Sequence, residues 1–414
     1  MKLLYDFSVW VFSCTLQLAK NGDSKLARLV RGRDGIFEEL ESFCKQKSGD
    51  LVWFHVASLG EYEQAKPVIA KLKATFPNLN VVLTFFSPSG YENVIKKKQP
   101  HVDLVTYLPF DTKGNARRFL DILQPKAAFF VKYDLWANFI FEAKKREIPL
   151  FLFSASFRKS QIYFKPYGGF FRKLLRAFDH IFTQNQDTLS LLNGIGVGPT
   201  TMTGDTRYDN VYAISQHPKK FSEIAEVFDG KPTIVVGSAW QQDMEMIIPF
   251  INRQSNYNLI IAPHDIHHQV IGQWQADITK KTIKYSELKG KNEKVDVLFI
   301  DNIGMLSSLY QFGRLAYVGG AMGKGLHNIL EPLAFQIPVI FGKLKNNSKF
   351  PEAGISQKYG CGFMVDNAQS FEKIILDLEN QELYQKAVNG AKKLVDDNLG
   401  SAHKIVAEVQ KTLK

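Results

Sequence analysis

The sequence predicts an α/β protein with two doubly wound parallel-sheet domains, one in each half of the chain. Three observations lead to this prediction. Short apolar runs alternate with helical patterns, 414 residues exceed one ordinary core, and the strand-like runs are interrupted once, around residues 211–230. Because helices separate most of the strands, both sheets should be parallel and covered on both faces. Ligands bind beyond the carboxyl ends of the strands in such sheets, so we expect a site in a cleft between the domains.

The N-terminal segment, residues 1–35, is apolar from Leu3 to Ala19 and then basic, with Lys20, Lys25, Arg28, Arg31 and Arg33. The apolar part is short for a membrane span of about 20 residues, and no signal-peptide cleavage pattern follows it. We interpret it as a membrane-associated helix that lies in or partly enters the bilayer surface, and the residues expected at the interface are Phe7, Trp10 and Phe12. A first helix packed on the domain is the alternative.

The first domain is predicted to cover residues 36–215, with strands near 50–57, 80–85, 104–107, 127–131, 149–153 and 179–183. Residues 216–230 lack a strand-like run and are the predicted linker. The second domain, residues 231–390, has predicted strands near 233–237, 258–262, 297–300, 314–318, 338–341 and 362–365. Residues 391–414 read as a helical segment, and we expect them to pack back on the first domain.

The composition limits the class of protein but does not select one. Lys and Arg number 52 against 41 Asp and Glu, a net charge of +11, which suits nucleic acid, an anionic membrane surface or an acidic substrate. The three cysteines form no C-x-x-C pair, so neither a disulfide framework nor a zinc site is expected, and a reducing compartment is the natural inference.

The most informative motif lies in the second half, where an apolar strand from Leu315 runs into a glycine-rich loop. Its glycines are Gly319, Gly320, Gly323 and Gly325. A helix predicted to open with His327, Asn328 and Glu331 follows, and its unpaired N–H groups and dipole would favour a phosphate. The glycine spacing matches neither G-x-G-x-x-G nor the P-loop, so a dehydrogenase or an NTPase does not follow. Asn328 and Glu331, three residues apart, could instead be a helix-capping pair.

The first half has its own candidate at the end of its first strand. Glu61 follows Ser58 and Gly60 at the predicted start of a helix, where its carboxylate would face the cleft. The helix dipole is expected to lower the pKa of Glu61, which would keep it ionised as a general base. A capping box between Ser58 and Glu61 is the alternative.

Taken together, the motifs resemble one family, the Kdo (3-deoxy-D-manno-octulosonic acid) transferases of lipopolysaccharide synthesis. The similar segments are HVASLGEYEQAKPVI, TFFSPSGYE, YLPFDTKGNARRFLDILQPK, TGDTRYD, VVGSAW, IIAPHDIH and GLHNILEPLAFQIPVIFG, in the order of the family. They extend over nearly the whole chain. The resemblance implies two Rossmann-like domains that face a cleft, as in the glycosyltransferase-B type.

The resemblance also implies an activity. The chain would move Kdo from CMP-Kdo to a hydroxyl of a lipid A precursor, with inversion, without a metal or another cofactor, and without nucleic acid as a partner. The work would take place at the anionic, cytoplasmic face of the cell inner membrane. Glu61 matches the proposed base of the family, and Ser58 and Gly60 would lie on the acceptor side.

The donor residues implied by the resemblance lie in the second half. Glu331 should bind the ribose hydroxyls of CMP, with Asn328 and the glycine loop near the phosphate. Pro263 and its neighbours should line the cytidine pocket, and Ser238 should contact a phosphate or sugar. Arg207 stands where the family has Lys and would meet a carboxylate or phosphate. A surface pair of Arg207 with Asp205 or Asp209 is the alternative.

The chain departs from the family pattern at three sites, one of which is residues 154–158, SASFR, where the family has N-A-R-L-S and the basic residue is moved by two places. Lys132 and Asp134 replace the two acids of E-x-E-L-W-P-N, which leaves the role of those acids open, although both remain candidates for the acceptor side. His264 stands where P-R-H has its arginine, so a contact to the donor is lost or replaced.

Two other classes of enzyme remain open. One is a membrane-associated glycosyltransferase of the same fold with another nucleotide-sugar donor, and the other is a nucleotide-sugar epimerase. A nucleic-acid-binding protein would explain the charge, but it would want a basic stripe with exposed aromatic residues.

Overall fold

The computed structural model describes residues 1–18, 20–22, 24–228, 230–288, 294–345 and 349–413. Ala19, the end of the predicted apolar stretch, Asp229 of the predicted linker and the C-terminal Lys414 lie outside these residues. The chain forms two compact units: unit 1 comprises Met1–Asn210 and Leu399–Lys414, and unit 2 comprises Val211–Asn398.

Unit 1 is built on a seven-stranded parallel sheet. Its strands are β1 (Leu51–Val56), β2 (Asn80–Phe85), β3 (Leu104–Tyr107), β4 (Ala127–Val131), β5 (Leu150–Ala155), β6 (His180–Thr183) and β7 (Thr200–Met202). Its helices are α1 (Lys2–Leu18), α2 (Lys25–Arg31), α3 (Ile36–Gln46), α4 (Leu59–Thr75), α5 (Pro88–Val94), α6 (Lys113–Leu123), α7 (Ala137–Lys145), α8 (Gly169–Leu175) and α9 (Gln186–Asn193). Helix α10 (Arg207–Gln216) crosses into unit 2.

The strand order is β3-β2-β1-β4-β5-β6-β7, so the order reverses between β1 and β4. Every residue of β1 is buried, as expected of a central parallel strand covered on both faces. Trp53 packs into the core on one side of the sheet, and Phe54 packs into the core on the other.

Unit 2 repeats the plan with β8 (Thr233–Ala239), β9 (Asn258–Pro263), β10 (Thr282–Lys284), β11 (Val297–Phe299), β12 (Leu315–Val318), β13 (Val339–Gly342) and β14 (Gly362–Val365). Its helices are α11 (Ser222–Val227), α12 (Gln241–Arg253), α13 (His268–Asp277), α14 (Leu306–Leu309), α15 (Leu330–Ala334), α16 (Pro351–Lys358), α17 (Ala368–Asp377) and α18 (Gln381–Asn398). The order β10-β11-β9-β8-β12-β13-β14 places the reversal between β8 and β12.

The last helix, α19 (Ser401–Leu413), belongs to unit 1. Its apolar side chains Ile405, Val406 and Val409 are buried in the same core as Phe54. The Asp209 carboxylate accepts the N–H groups of Gly400 and Ala402, each at 2.7 Å, and so holds the start of the helix.

Helix α1 is tied to unit 1 along one side. Tyr5 donates a hydrogen bond to Asp111 at 2.6 Å, and Leu16 is buried, whereas Leu3, Phe7 and Trp10 are 80%, 60% and 57% exposed. Among the described helices, none combines the length and apolar character needed to cross a membrane. Insertion of α1 into a membrane therefore stays a prediction.

Arg33 does not contribute to an exposed basic cluster. Its guanidinium lies against the rings of Phe86, Tyr107 and Phe110, 4.6–5.0 Å from their centroids, and it donates to the carbonyls of Leu29, Phe86 and Leu108. Burial lowers the pKa of Arg33 to about 10. Because these rings enclose its cation, Arg33 is not an exposed member of the basic stretch, and contact of that stretch with a membrane stays a prediction.

Candidate active site

Glu61 lies at the point where the strand order of unit 1 reverses. It sits in the first turn of α4, directly after β1, and only 7% of it is exposed. Its carboxylate accepts the backbone N–H groups of Ala57 and Ser58. Ser58 is the N-cap residue of α4, but its side chain makes no capping hydrogen bond, so the reciprocal capping box is not formed.

The predicted lowering of the Glu61 pKa is wrong in sign. Burial and then the negative charge of Asp134 raise the pKa of Glu61 to about 7, against the opposing effects of its two backbone hydrogen bonds and of Lys132. The helix-dipole argument considers only the first turn of α4, whereas loss of solvent and a second carboxylate dominate here. A carboxyl group with a pKa near neutrality is better matched to proton transfer than a fully ionised one.

Asp134 is held in place by a buried network after β4. Its Oδ2 atom lies 2.9 Å from His55 Nε2 and 3.0 Å from Trp136 Nε1. A carboxylate only accepts, so any N–H group that bonds to it is the donor. The Trp136 N–H also lies 2.9 Å from His55 Nε2, and His55 Nδ1 lies 2.9 Å from the Thr84 hydroxyl on β2. His55 is completely buried. The network fixes a negative charge beside Glu61.

The other candidate residues of unit 1 are Lys132, Gly60 and Arg207. Lys132 follows β4 directly, with a positive φ of 60°, and its charge reaches Glu61. Gly60 has open space around it in the first turn of α4. Arg207 pairs with Asp205 at 2.7 Å, and Asp205 also accepts from Gln64 of α4 at 3.3 Å. The alternative of an Arg207–Asp205 pair is thus the arrangement observed.

Unit 2 has a cavity of about 280 Å³ where its own strand order reverses. It is lined by the ends of β8 and β12, by the connection from β11 to β12, and by residues at and before the start of α15: Ser238, Gly304, Leu306, Ser307, Tyr310, Val318, His327, Asn328 and Glu331. Four of the predicted donor residues, Ser238, His327, Asn328 and Glu331, therefore meet at one cavity.

The glycine loop borders this cavity but does not offer its glycine amides to a ligand. The N–H groups of Gly319, Gly320, Gly323 and Gly325 donate to Gly237 O, Asp243 Oδ2, Gly320 O and Gly320 O. Close packing accounts for two of the glycines. A Cβ on Gly319 would lie 2.4 Å from Ser238 O, and one on Gly320, whose φ is +91°, would lie 2.4 Å from Gly325 O.

The helix behind the loop begins later than predicted. Helix α15 starts at Leu330 rather than His327 and has five residues, and the Leu330 N–H is bonded to Asn328 Oδ1 at 3.2 Å. Pro332 has no N–H group to offer. Asn328 Nδ2 also donates to Glu331 Oε1 at 3.2 Å. The start of this helix was therefore predicted too early, and the Asn328 side chain holds the first N–H group of α15 from outside the helix. Contact of this loop with a phosphate stays a prediction.

Three rings that follow β8, β9 and β12 form a stack beside the cavity. The rings of Trp240 and His264 are 4.2 Å apart, those of His264 and His327 are 4.4 Å apart, and Trp240 Nε1 donates to His327 Nε2 at 3.2 Å. Pro263 ends β9, directly before His264. Trp240 is a residue that the sequence reasoning missed, although it closes the VVGSAW segment.

Asp243 was also missed, and it ties the loop to the sheet. Its carboxylate accepts the N–H groups of Trp240 and Gly320 and the Tyr317 hydroxyl, at 2.9, 3.0 and 2.7 Å. Burial raises the pKa of Asp243. The available signal was an acidic residue in the first turn of a helix that follows a buried strand.

Comparison with known proteins identifies the family. The family model for 3-deoxy-D-manno-octulosonic-acid transferase matches residues 32–210. A 3-deoxy-D-manno-octulosonic acid transferase from Aquifex aeolicus is 30% identical over 346 residues, which cover 80% of this chain and 88% of the relative. The chain belongs to the Kdo transferase family.

Two further comparisons find partial similarity, one to a longer relative and one to a solved structure of low identity. A bifunctional glycosyltransferase/methyltransferase from Fusobacterium nucleatum is 25% identical over 84% of this Kdo transferase chain, which spans only 56% of that relative's length. A UDP-GlcNAc 2-epimerase structure from Methanocaldococcus jannaschii superposes with a TM-score of 0.54 at 14% identity, covering 84% of this chain and 100% of the epimerase. The second likeness shows the shared two-domain α/β fold alone.

Proposed function

We propose that this protein is an inverting glycosyltransferase that moves Kdo from CMP-Kdo to a hydroxyl of a lipid A precursor. The observation that carries the proposal is Glu61, a buried carboxyl group with a pKa raised to about 7 at the strand reversal of unit 1. Membership of the Kdo transferase family supports the choice of donor and acceptor.

The reaction is a single displacement at the anomeric carbon of Kdo. The acceptor hydroxyl oxygen forms the new C–O bond, its proton passes to Glu61, and the bond to the CMP phosphate breaks with its electron pair on the phosphate oxygen. The released phosphate is a stable anion, so the leaving group needs neither a general acid nor a metal. Glu61 is therefore the group that the chemistry needs most on the acceptor side.

Unit 2 is the proposed donor side. The Glu331 carboxylate lines the cavity and suits the ribose hydroxyls of CMP, since an ionised acceptor makes a strong hydrogen bond to a hydroxyl group. Ser238 and His327 line the same cavity, and His264 stacks on the wall formed by Trp240.

We place the reaction at the cytoplasmic face of the inner membrane. The exposed apolar side chains of α1 support this proposal, because a lipid-linked acceptor would be delivered from a bilayer surface.

Two substitutions test the roles proposed for Glu61 on the acceptor side and for Glu331 on the nucleotide side. Glu61→Gln should abolish Kdo transfer while CMP still raises the melting temperature, because Glu61 acts on the acceptor in unit 1. Glu331→Ala should weaken CMP binding by about 1–3 kcal/mol, the range for a lost hydrogen bond to a charged group. Glu63→Gln, two residues along α4, and Glu287→Ala on the surface of unit 2 are the matched controls.

The nucleotide that stabilises the protein distinguishes this proposal from a glycosyltransferase with another donor and from an epimerase. CMP, rather than UDP, should stabilise the wild-type chain, and a lipid A precursor incubated with CMP-Kdo should gain the mass of Kdo. Stabilisation by UDP alone would favour another donor or an epimerase, and turnover by Glu61→Gln would remove Glu61 from the role of base.

A further inference from the structure

The proposed donor is an anion, yet the cavity of unit 2 offers it little positive charge. CMP-Kdo carries a phosphate and a sugar carboxylate. Among the described residues that line the cavity, the one with a carboxylate or a permanently cationic side chain is Glu331, and that side chain is acidic. The four glycine N–H groups already donate to Gly237 O, Asp243 Oδ2 and Gly320 O. His264 stands where the family has the arginine of P-R-H.

His327, which lines the cavity, does not supply a positive charge. His327 Nε2 accepts the Trp240 N–H, so in the neutral ring the hydrogen is on Nδ1. Burial and then the neighbouring His264 lower the pKa of His327 to about 4. His327 is therefore neutral at physiological pH and acts as a hydrogen-bonding group rather than as a cation.

Lys324, a cationic residue of the glycine loop, lies next to the ring stack. Its ammonium lies over the face of Trp240, 4.4 Å from the ring centroid. Trp240 in turn is bonded to His327, which lines the cavity. Lys324 is exposed and makes no ion pair with any carboxylate among the described residues, in contrast to Lys284 in the same unit, which lies 3.6 Å from Glu287.

A lysine in this position is well placed to move to a ligand. A cation over an exposed aromatic ring is stabilised by only about 0.5–1 kcal/mol, less than a charge-assisted bond to a phosphate. The side chain is long and flexible, and the indole on which it lies is bonded to His327 of the cavity wall and does not neutralise the ammonium.

We propose that Lys324 binds the phosphate of the donor nucleotide and replaces the positive charge that the family draws from the arginine of its P-R-H segment. This inference rests on the proposed function, because it assumes that the cavity of unit 2 takes a cytidine nucleotide. Before the nucleotide binds, the ammonium of Lys324 lies over the ring of Trp240.

The test compares CMP with uncharged cytidine, using isothermal titration of the full chain. Lys324→Met should weaken CMP about tenfold, the effect of one charge-assisted contact, and leave cytidine unchanged. Lys324→Arg should keep CMP within about threefold of the wild type, since it retains the charge. Lys393→Met, an exposed lysine on α18, is the control and should change neither affinity.

The outcomes distinguish a failure of the role proposed for Lys324 from a failure of the proposed function. Unchanged CMP affinity in Lys324→Met would overturn the phosphate assignment, as would a loss that affects CMP and cytidine equally. Wild-type protein that binds neither CMP nor cytidine would instead overturn the proposed function. Because Lys324 is exposed, its substitution should leave the melting temperature of the free protein unchanged, and that measurement accompanies each titration.

Discussion

Burial is the largest cause of the raised pKa of Glu61, and the negative charge of Asp134 is the second. Its negative charge raises the pKa of Glu61, whereas Lys132 and the N–H groups of Ala57 and Ser58 lower it. Asp134→Asn removes the negative charge but keeps a side chain of the same shape. The pKa of Glu61 should then fall, so a larger fraction is ionised at any acidic pH. The acidic limb of kcat/KM against pH should move to lower pH.

The pH profile distinguishes this role from a merely structural one. Asp134→Glu restores the charge and should return the limb toward its wild-type position, and Asp187→Asn, an exposed residue of α9, should leave it in place. An acidic limb that does not move in Asp134→Asn would show that Asp134 does not act through Glu61.

The sequence located Glu61 but could not supply its pKa. Its place after β1 followed from a local pattern, an apolar run ending before S-x-G-E. Its burial and its neighbour Asp134, 73 positions away in the chain, are products of the tertiary fold. Trp240 and Asp243 were missed for a related reason, because their roles depend on partners in β12 and the loop after it.

At the scale of elements, the glycine loop depends on close packing against β8. A methyl group on Gly319 would meet Ser238 O at 2.4 Å and Asp243 Oδ2 at 2.5 Å. Gly319→Ala should therefore destabilise the protein by about 1–3 kcal/mol, the usual cost of overpacking. Denaturant unfolding followed by fluorescence measures this change.

A second glycine provides the control for that measurement. Gly272 lies in α13 with open space where a Cβ would be. Gly272→Ala should be neutral or stabilising by about 0.5–1 kcal/mol, since alanine is the better helix former. If Gly319→Ala were as well tolerated as Gly272→Ala, packing would not be the reason for glycine at that position.

Element prediction succeeded where burial leaves a strong pattern. All twelve predicted strands are present within two residues of their expected bounds. The strands that were missed, β7 and β10, are three residues long, lie at sheet edges and read Thr-Thr-Met and Thr-Ile-Lys, so no apolar run marks them. The start of α15 was placed three residues early, because Asn328 resembles a first helical residue but bonds to Leu330 from outside the helix.

At the scale of the whole molecule, the chain returns to its first unit at the end. Helix α19 buries Ile405, Val406 and Val409 in the core that contains Phe54, so residues more than 350 positions apart complete one hydrophobic layer. The amphipathic pattern of this segment indicated that it needed a partner surface. That surface is the core around Phe54. The hydrogen bonds from Gly400 and Ala402 to the Asp209 carboxylate help to fix α19 there, and no local sequence pattern reveals these bonds.

The proposed work at a bilayer surface rests on α1, which is tied to unit 1 by Tyr5 while its other side exposes Phe7 and Trp10. If that side enters a bilayer surface, Phe7→Ser combined with Trp10→Ser should lower sedimentation with anionic phosphatidylglycerol vesicles by at least about tenfold, because each aromatic ring contributes roughly 1.5–3 kcal/mol when fully buried. The melting temperature should stay unchanged, since both rings are exposed in the free protein. Ile303→Ser, which removes an 80% exposed apolar side chain from unit 2, is the control and should sediment like the wild type. Equal sedimentation of all three proteins would mean that α1 does not bring the enzyme to its lipid acceptor.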